Sequence, residues 1–81
     1  MTALLELATV AELTDEQDRL AAVIEAVLER AGRRGLTPAA AARLTRRTTE
    51  EVRPVLSWLV AHQYAHTRGP HYHAGRAKRD R

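Results

Sequence analysis

The sequence predicts a mainly α-helical domain in which three core helices are followed by a small β-hairpin. Thr-x-x-Gln at residue 14 and Thr-x-x-Glu at residue 48 are capping-box patterns, and each precedes apolar residues at helical spacing. Residues 64–74 instead hold a Gly-Pro turn between two short segments of strand character. The 81 residues fit a single domain, and the absence of cysteine excludes a disulfide framework and a thiolate zinc site.

Residues 1–13 are predicted to form an N-terminal helical segment. Its apolar residues follow the spacing of one helix face: Leu4, Leu7, Ala8 and Ala11. A helix this short is marginal alone, so we expect it to pack on the body of the domain or on a second copy of the chain. The segment is therefore the candidate dimerisation element. It carries Glu6 and Glu12 and lacks a basic start, so we expect neither secretion nor a membrane span.

The first core helix is predicted to begin after Thr14, whose capping partner is Gln17, and acidic residues fill its first turn. Its apolar face comprises Leu20, Val23, Ile24, Val27, Leu28 and Ala31. Gly32 is the predicted end of the helix. A short basic connector of Arg33, Arg34 and Gly35 follows.

Two further helices are separated by a tight turn. Thr37 caps the first of them and Pro38 takes its first position, and the helix is expected to run to about residue 44. Residues 45–47 make the turn, and Thr48 caps the third helix. The predicted buried stripe of the third helix consists of Val52, Val55, Leu56, Leu59 and Val60.

The hairpin is predicted over residues 64–74, with Gly69 and Pro70 at its turn. Tyr64 and Tyr72 are expected to pair across it. Residues 76–81 are mostly basic, show no apolar pattern and are predicted to form a flexible tail.

Charge divides the chain into two parts. Residues 1–29 contain seven acids and one arginine, a net charge of −6, whereas residues 30–81 contain twelve basic residues and three acids, a net charge of +9. Such asymmetry favours a polyanion-binding surface on the second part. The other interpretation is a solvated surface in an Arg-rich and Ala-rich chain, a bias that a GC-rich genome produces by itself.

The order of these segments resembles a winged helix-turn-helix domain over residues 14–75. TPAAAARL matches the positioning helix, TRRT the turn, TEEVRPVLSWLVAHQ the recognition helix and YAHTRGPHYHA the wing. In outline the chain is similar to the DNA-binding modules of small bacterial repressors such as the MarR, ArsR and PadR families. This resemblance implies a cytoplasmic, nucleoid-associated transcriptional repressor that binds double-stranded DNA as a homodimer. We expect no cofactor.

The resemblance implies that helix 48–63 enters the major groove and that hairpin 64–74 contacts the DNA backbone or the minor groove. On the outward face of that helix, Arg53 can pair with guanine and Ser57 can bond to several bases. The candidate DNA contacts are Arg33, Arg34, Arg46, Arg47, Thr48, Thr49, Glu50, Arg53, Ser57 and Arg68, with His66, His71 and His73 in the wing.

Several of these residues have a purely structural interpretation as well. Arg46 and Arg47 fit solvated turn positions, and Arg53 fits an ion pair with Glu50. The two carboxylates at the helix start oppose phosphate binding, although Glu51 also has the role of capping-box acceptor.

Other functions remain as alternatives. Trp58 and the apolar N-terminal segment fit a protein-interaction module, and Trp58 also fits a core position. His66, His71 and His73 could share a metal in a metal-responsive regulator, but no carboxylate or cysteine accompanies them. We expect no enzymatic activity, since the sequence has no Gly-rich phosphate loop, no cysteine and no carboxylate pair near a histidine.

Overall fold

The structure is a computed structural model that describes residues 13–76. Three helices and a two-stranded antiparallel hairpin follow one another, which confirms the predicted mainly α-helical fold class. They are α1 (Asp15–Ala31), a 3-10 turn (Gly32–Arg34), α2 (Pro38–Thr45), α3 (Thr49–Ala61), β1 (Ala65–Arg68) and β2 (His71–Ala74). The predicted helix of residues 1–13, except Leu13, and the tail beyond Arg76 lie outside the described residues.

Each helix begins at the threonine that the sequence predicts. Thr14 and Gln17 exchange two hydrogen bonds of 3.0 and 3.1 Å, so the first capping box is complete. Thr37 accepts from the backbone of α2 at 3.1 Å. At α3, Thr48 accepts from the Glu51 N–H at 3.1 Å while the Glu51 carboxylate accepts from the Thr48 N–H at 2.8 Å. These bonds satisfy N–H groups that have no partner within their helices, so the caps set where the helices start.

All three helices contribute to one apolar core, together with Ala65 of the hairpin. The six largest fully buried side chains come from α1 and α3: Ile24, Leu28, Val52, Val55, Leu56 and Leu59. In α3 the buried stripe is as predicted, except that Val60 is only half-buried. The helix continues through Pro54, whose ring is on the exposed side.

The predicted apolar face of α1 is wrong at one position. Val23 is 47% exposed, whereas Ala21 is buried at 5% exposure. The buried face is centred on Leu20, Ile24 and Leu28, and at 100° per residue Val23 falls beyond its edge. Among residues 13–76, no helix combines the length and the apolar character that crossing a membrane would need.

The hairpin is joined to the segment before α2 by a contact that the sequence did not indicate. Leu36 and Tyr72 exchange two backbone hydrogen bonds of 2.9 and 2.7 Å. Within the hairpin, Thr67 faces Tyr72 and Ala65 faces Ala74. The predicted Tyr64–Tyr72 pair is therefore wrong, because the register places Tyr72 opposite Thr67. The Leu36 contact holds the hairpin against the start of α2.

Candidate nucleic-acid interface

The turn between α2 and α3 has a fixed backbone conformation. Arg46 adopts left-handed φ and ψ angles of 60° and 43°, and the Arg47 N–H donates to the Ala42 carbonyl at 2.8 Å. A left-handed residue at a helix C-terminus satisfies carbonyls that would otherwise lack donors. Thr48 then resumes an extended conformation and caps α3. The turn thus fixes α3 relative to α2 and leaves the Arg46 side chain exposed.

Arg47 is bound to two carboxylates. Its guanidinium donates to Glu16 at 3.1 Å and to Glu51 at 3.5 Å, and 32% of the side chain is exposed. The Glu16 hydrogen bond is the main cause that raises the pKa of Arg47 above its usual value. The pKa of Glu51 is lowered, chiefly by the Thr48 N–H and also by Arg47. Arg47 therefore links the first turns of α1 and α3, whereas the sequence had marked it as a candidate DNA contact.

The outward face of α3 lies where helix geometry predicts it. Its exposed residues are Glu50, Arg53, Pro54, Ser57 and Ala61, and Thr49 beside them is half-buried. Within residues 13–76 both salt bridges involve Arg47, so the alternative pair between Arg53 and Glu50 does not form. The face presents one arginine, one carboxylate and one hydroxyl to solvent.

The four predicted polar residues of the wing share one face of the hairpin. Strand alternation and the register place His66, Arg68, His71 and His73 together on the side opposite Ala65 and Tyr72. The rings of His66 and His73 stack, with centroids 5.2 Å apart and planes inclined by 15°. His66 Nδ1 lies 2.7 Å from the Gly75 carbonyl oxygen, and because a carbonyl only accepts, this nitrogen carries the proton.

His73 is buried, although the sequence had placed it among the candidate DNA contacts of the wing. Only 8% of it is exposed. The ring fills space that glycine leaves open, since a Cβ at Gly35 would lie 2.6 Å from His73 Cε1 and 2.7 Å from the Tyr72 carbonyl oxygen. Among the described residues, no cluster of three or more side chains suited to a metal ion forms, so the three wing histidines do not converge on such a site.

An open groove of about 870 Å³ separates the end of α1 from the polar face of the hairpin. It brings together Arg33 and Arg68, which were predicted as DNA contacts, with His66 and His73. Arg76 also lines it, and this arginine donates to Gln63 at 2.7 Å. Arg34 is exposed in the 3-10 turn and is not part of this lining. Most of the candidate contacts therefore lie either in the α2–α3 region or in the groove, whereas Arg34 and His71 belong to neither group.

The end of α3 carries an aromatic stack that was not predicted from the sequence. The ring of His62 lies 4.1 Å from that of Trp58, and the ring of Tyr64 lies 5.8 Å from that of Trp58. Trp58 is half-buried against the core, while Tyr64 is 50% exposed. The signal available in the sequence is the i, i+4 spacing of Trp58 and His62 on one helix.

Comparison of the chain with protein families, with curated proteins and with solved structures finds no match.

Proposed function

We propose that the chain is a DNA-binding transcription regulator of winged helix-turn-helix type, which inserts α3 into the major groove of double-stranded DNA. The observation that carries this proposal is the unit of α2, turn and α3. Its backbone is fixed by the left-handed Arg46 and by the Thr48 cap, and the outward face of α3 is exposed along its length. A preorganised, exposed helix after a tight turn is what major-groove recognition requires.

The dimensions and chemistry of α3 support this role. Its 13 residues span about 20 Å, and the major groove is wide enough to admit an α-helix. Arg53 lies in the first half of the exposed face, where its guanidinium can donate two hydrogen bonds to guanine. Ser57 lies one turn further along, and Glu50 can accept a hydrogen bond from the amino group of cytosine.

The two carboxylates at the start of α3, Glu50 and Glu51, repel DNA phosphates less than two free charges would. Glu51 accepts from the Thr48 N–H and from Arg47, so its charge is compensated within the domain. Glu50 is then the one exposed carboxylate on the outward face of α3 in the described chain. Arg46 beside the turn can contact phosphate, and Arg68 next to the Gly69-Pro70 turn can contact the flanking backbone or minor groove.

The regulator proposal includes a homodimer and repression in the bacterial cytoplasm, at the nucleoid. One such module offers about 600–1,000 Å² of contact with DNA and modest specificity. A two-fold dimer would place two α3 helices about 34–36 Å apart on successive turns of DNA. Repression would then follow from occupancy of a palindromic site.

Selection of duplexes from a randomised DNA pool at about 150 mM salt tests the proposal. We expect enrichment of an inverted repeat whose half-sites lie one helical turn apart. Retention without enrichment would replace the regulator by a non-specific binder held by phosphates, and a lack of retention would refute DNA binding. A matched pool of single strands serves as the control, because α3 is expected to need a duplex groove.

A second candidate function is a protein-interaction module, and the aromatic stack at the end of α3 favours it. Tyr64 is 50% exposed beside Trp58 and His62, and aromatic side chains are enriched at protein interfaces. Binding through this surface would depend weakly on salt, whereas DNA binding would weaken steeply as salt rises.

A further inference from the structure

Three arginines from separate parts of the chain meet at the groove between α1 and the hairpin. Arg33 comes from the 3-10 turn, Arg68 from the end of β1 and Arg76 from the residues after β2. The side chains of Arg33 and Arg68 make no hydrogen bond or ion pair within residues 13–76. Guanidinium groups present planar forks of donors that match phosphate oxygens, so two complete forks are available in this groove.

The other residues that line the groove restrict the chemical class and the size of the ligand. Glu29 is the one carboxylate among the described residues of the groove, and it repels a dense polyanion while accepting hydrogen bonds from hydroxyl groups. Ala74 adds a small apolar surface, and the stacked His66 and His73 rings form one side. The volume of about 870 Å³ lies within the range of small-molecule sites.

We propose that this groove binds a small phosphate monoester that carries hydroxyl groups. Arg33 and Arg68 hold the phosphate, Arg76 adds positive charge at the edge, and the Glu29 carboxylate accepts from a hydroxyl of the ligand. The site shares Arg33 and Arg68 with the candidate DNA contacts, but it does not use the outward face of α3, so it can bind its ligand whether or not α3 enters a DNA groove.

Titration of the full chain with ribose 5-phosphate, inorganic phosphate and ribose tests the site. Amide chemical shifts and calorimetry are the two readouts. We expect ribose 5-phosphate to shift the amides of residues 29–33, 66–68 and 73–76, inorganic phosphate to shift the same amides more weakly, and ribose to shift none. If ribose 5-phosphate binds no better than inorganic phosphate, the role of Glu29 is wrong, and if neither binds at millimolar concentration the site is refuted.

Matched arginine variants distinguish binding at the groove from non-specific attraction of the anionic ligand to a basic protein. Arg33→Ser and Arg68→Ser should each lower the affinity for ribose 5-phosphate about tenfold, because each removes a charged hydrogen bond. Arg19→Ser removes the same charge from an exposed position of α1 outside the groove and should leave the affinity within about twofold. Equal losses in all three variants would overturn the proposal.

Glu29→Gln gives a second test. Removal of the carboxylate should raise the affinity for inorganic phosphate several-fold, because it removes a like charge from the groove. The ratio of the affinity for ribose 5-phosphate to the affinity for inorganic phosphate should fall, because the acceptor for the sugar hydroxyl is weakened. The same amide titration is repeated with a short DNA duplex. If the duplex shifts the groove amides and ribose 5-phosphate leaves them unchanged, the groove is a contact for the DNA backbone and the small-molecule site is refuted.

Discussion

The guanidinium of Arg47 lies 3.1 Å from the carboxylate of Glu16, so a residue of the turn before α3 is bound to the first turn of α1. The two residues are far apart in the sequence, and their contact sets the N-terminal ends of two helices side by side. Arg47 is thus occupied by partners within the domain, in contrast to the exposed Arg46 next to it.

Replacement of Arg47 by Ala should lower the melting temperature slightly, because a surface ion pair in water is weak. Glu16→Gln should have a similar effect, and the double variant should lose less than the two single losses added together. Thermal unfolding of the four proteins at low and high salt measures this coupling, which salt should reduce. Strictly additive losses would mean that the contact has no energetic role.

DNA affinity should distinguish Arg53 from Arg46. Arg53→Ala is expected to relax preference at one base pair by about 1–3 kcal/mol, because it removes a base contact. Arg46→Ala should weaken all duplexes alike and reduce the slope of log affinity against log salt by about one. Arg19→Ala is the matched control on α1. Fluorescence anisotropy with the selected duplex and its point variants makes the comparison, and identical profiles for Arg53→Ala and Arg19→Ala would remove α3 from the interface.

Acid should weaken the start of α3 through Glu51. Its pKa is lowered in the folded chain, chiefly by the Thr48 N–H, so the ionised form is favoured by folding. The resulting stabilisation is fully present above the pH at which an unfolded glutamate titrates, about 4.3, and is lost as the pH falls through the lower folded value. Melting temperatures of the wild type and of Glu51→Gln between pH 3 and 7 should therefore converge at the acid end. A constant difference across this range would contradict the assignment.

Gly35→Ala should destabilise the domain by about 2–4 kcal/mol, from backbone strain at a positive φ angle and from overpacking. Its φ angle is 67°, and the added Cβ would lie 2.6 Å from the His73 ring and 2.7 Å from a backbone oxygen. Gly32→Ala is the matched control, since its φ is 61° and its Cβ would meet nothing within 4 Å. Denaturant unfolding should show a loss of only about 1–2 kcal/mol for that variant. Equal losses for the two glycines would show that the His73 contact has no role.

Truncation of two neighbouring residues on α1 should have very different effects. Ile24→Ala removes a fully buried side chain and should cost about 2–5 kcal/mol. Val23→Ala changes a residue that is 47% exposed and should cost less than about 1 kcal/mol. The same unfolding measurement compares them, and a larger loss for Val23 would place the core on the other side of this helix.

The predictions from sequence succeeded where structure depends on residues close together in the chain. Thr14 and Thr48 fix helix starts through partners three residues away, so their patterns were sufficient. The Arg47–Glu16 and Leu36–Tyr72 contacts join distant segments, and no local pattern distinguishes them. Gly35 likewise resembles Gly32 in the sequence, and only the packed His73 ring separates their roles. The exposed face of α3 could be predicted because a helix with a known buried stripe has a known opposite side.

The two hydrogen bonds between Leu36 and Tyr72 also close a large loop of chain that contains both α2 and α3. Because loop closure must precede any gain from such a distant contact, we expect the hairpin to join the helices late in folding. The same bonds should then be among the first to open when the domain unfolds, so the Leu36 and Tyr72 amides would exchange with solvent deuterium faster than the amides on the buried face of α3. Their exchange rates therefore report whether the hairpin and the helices unfold as one cooperative unit.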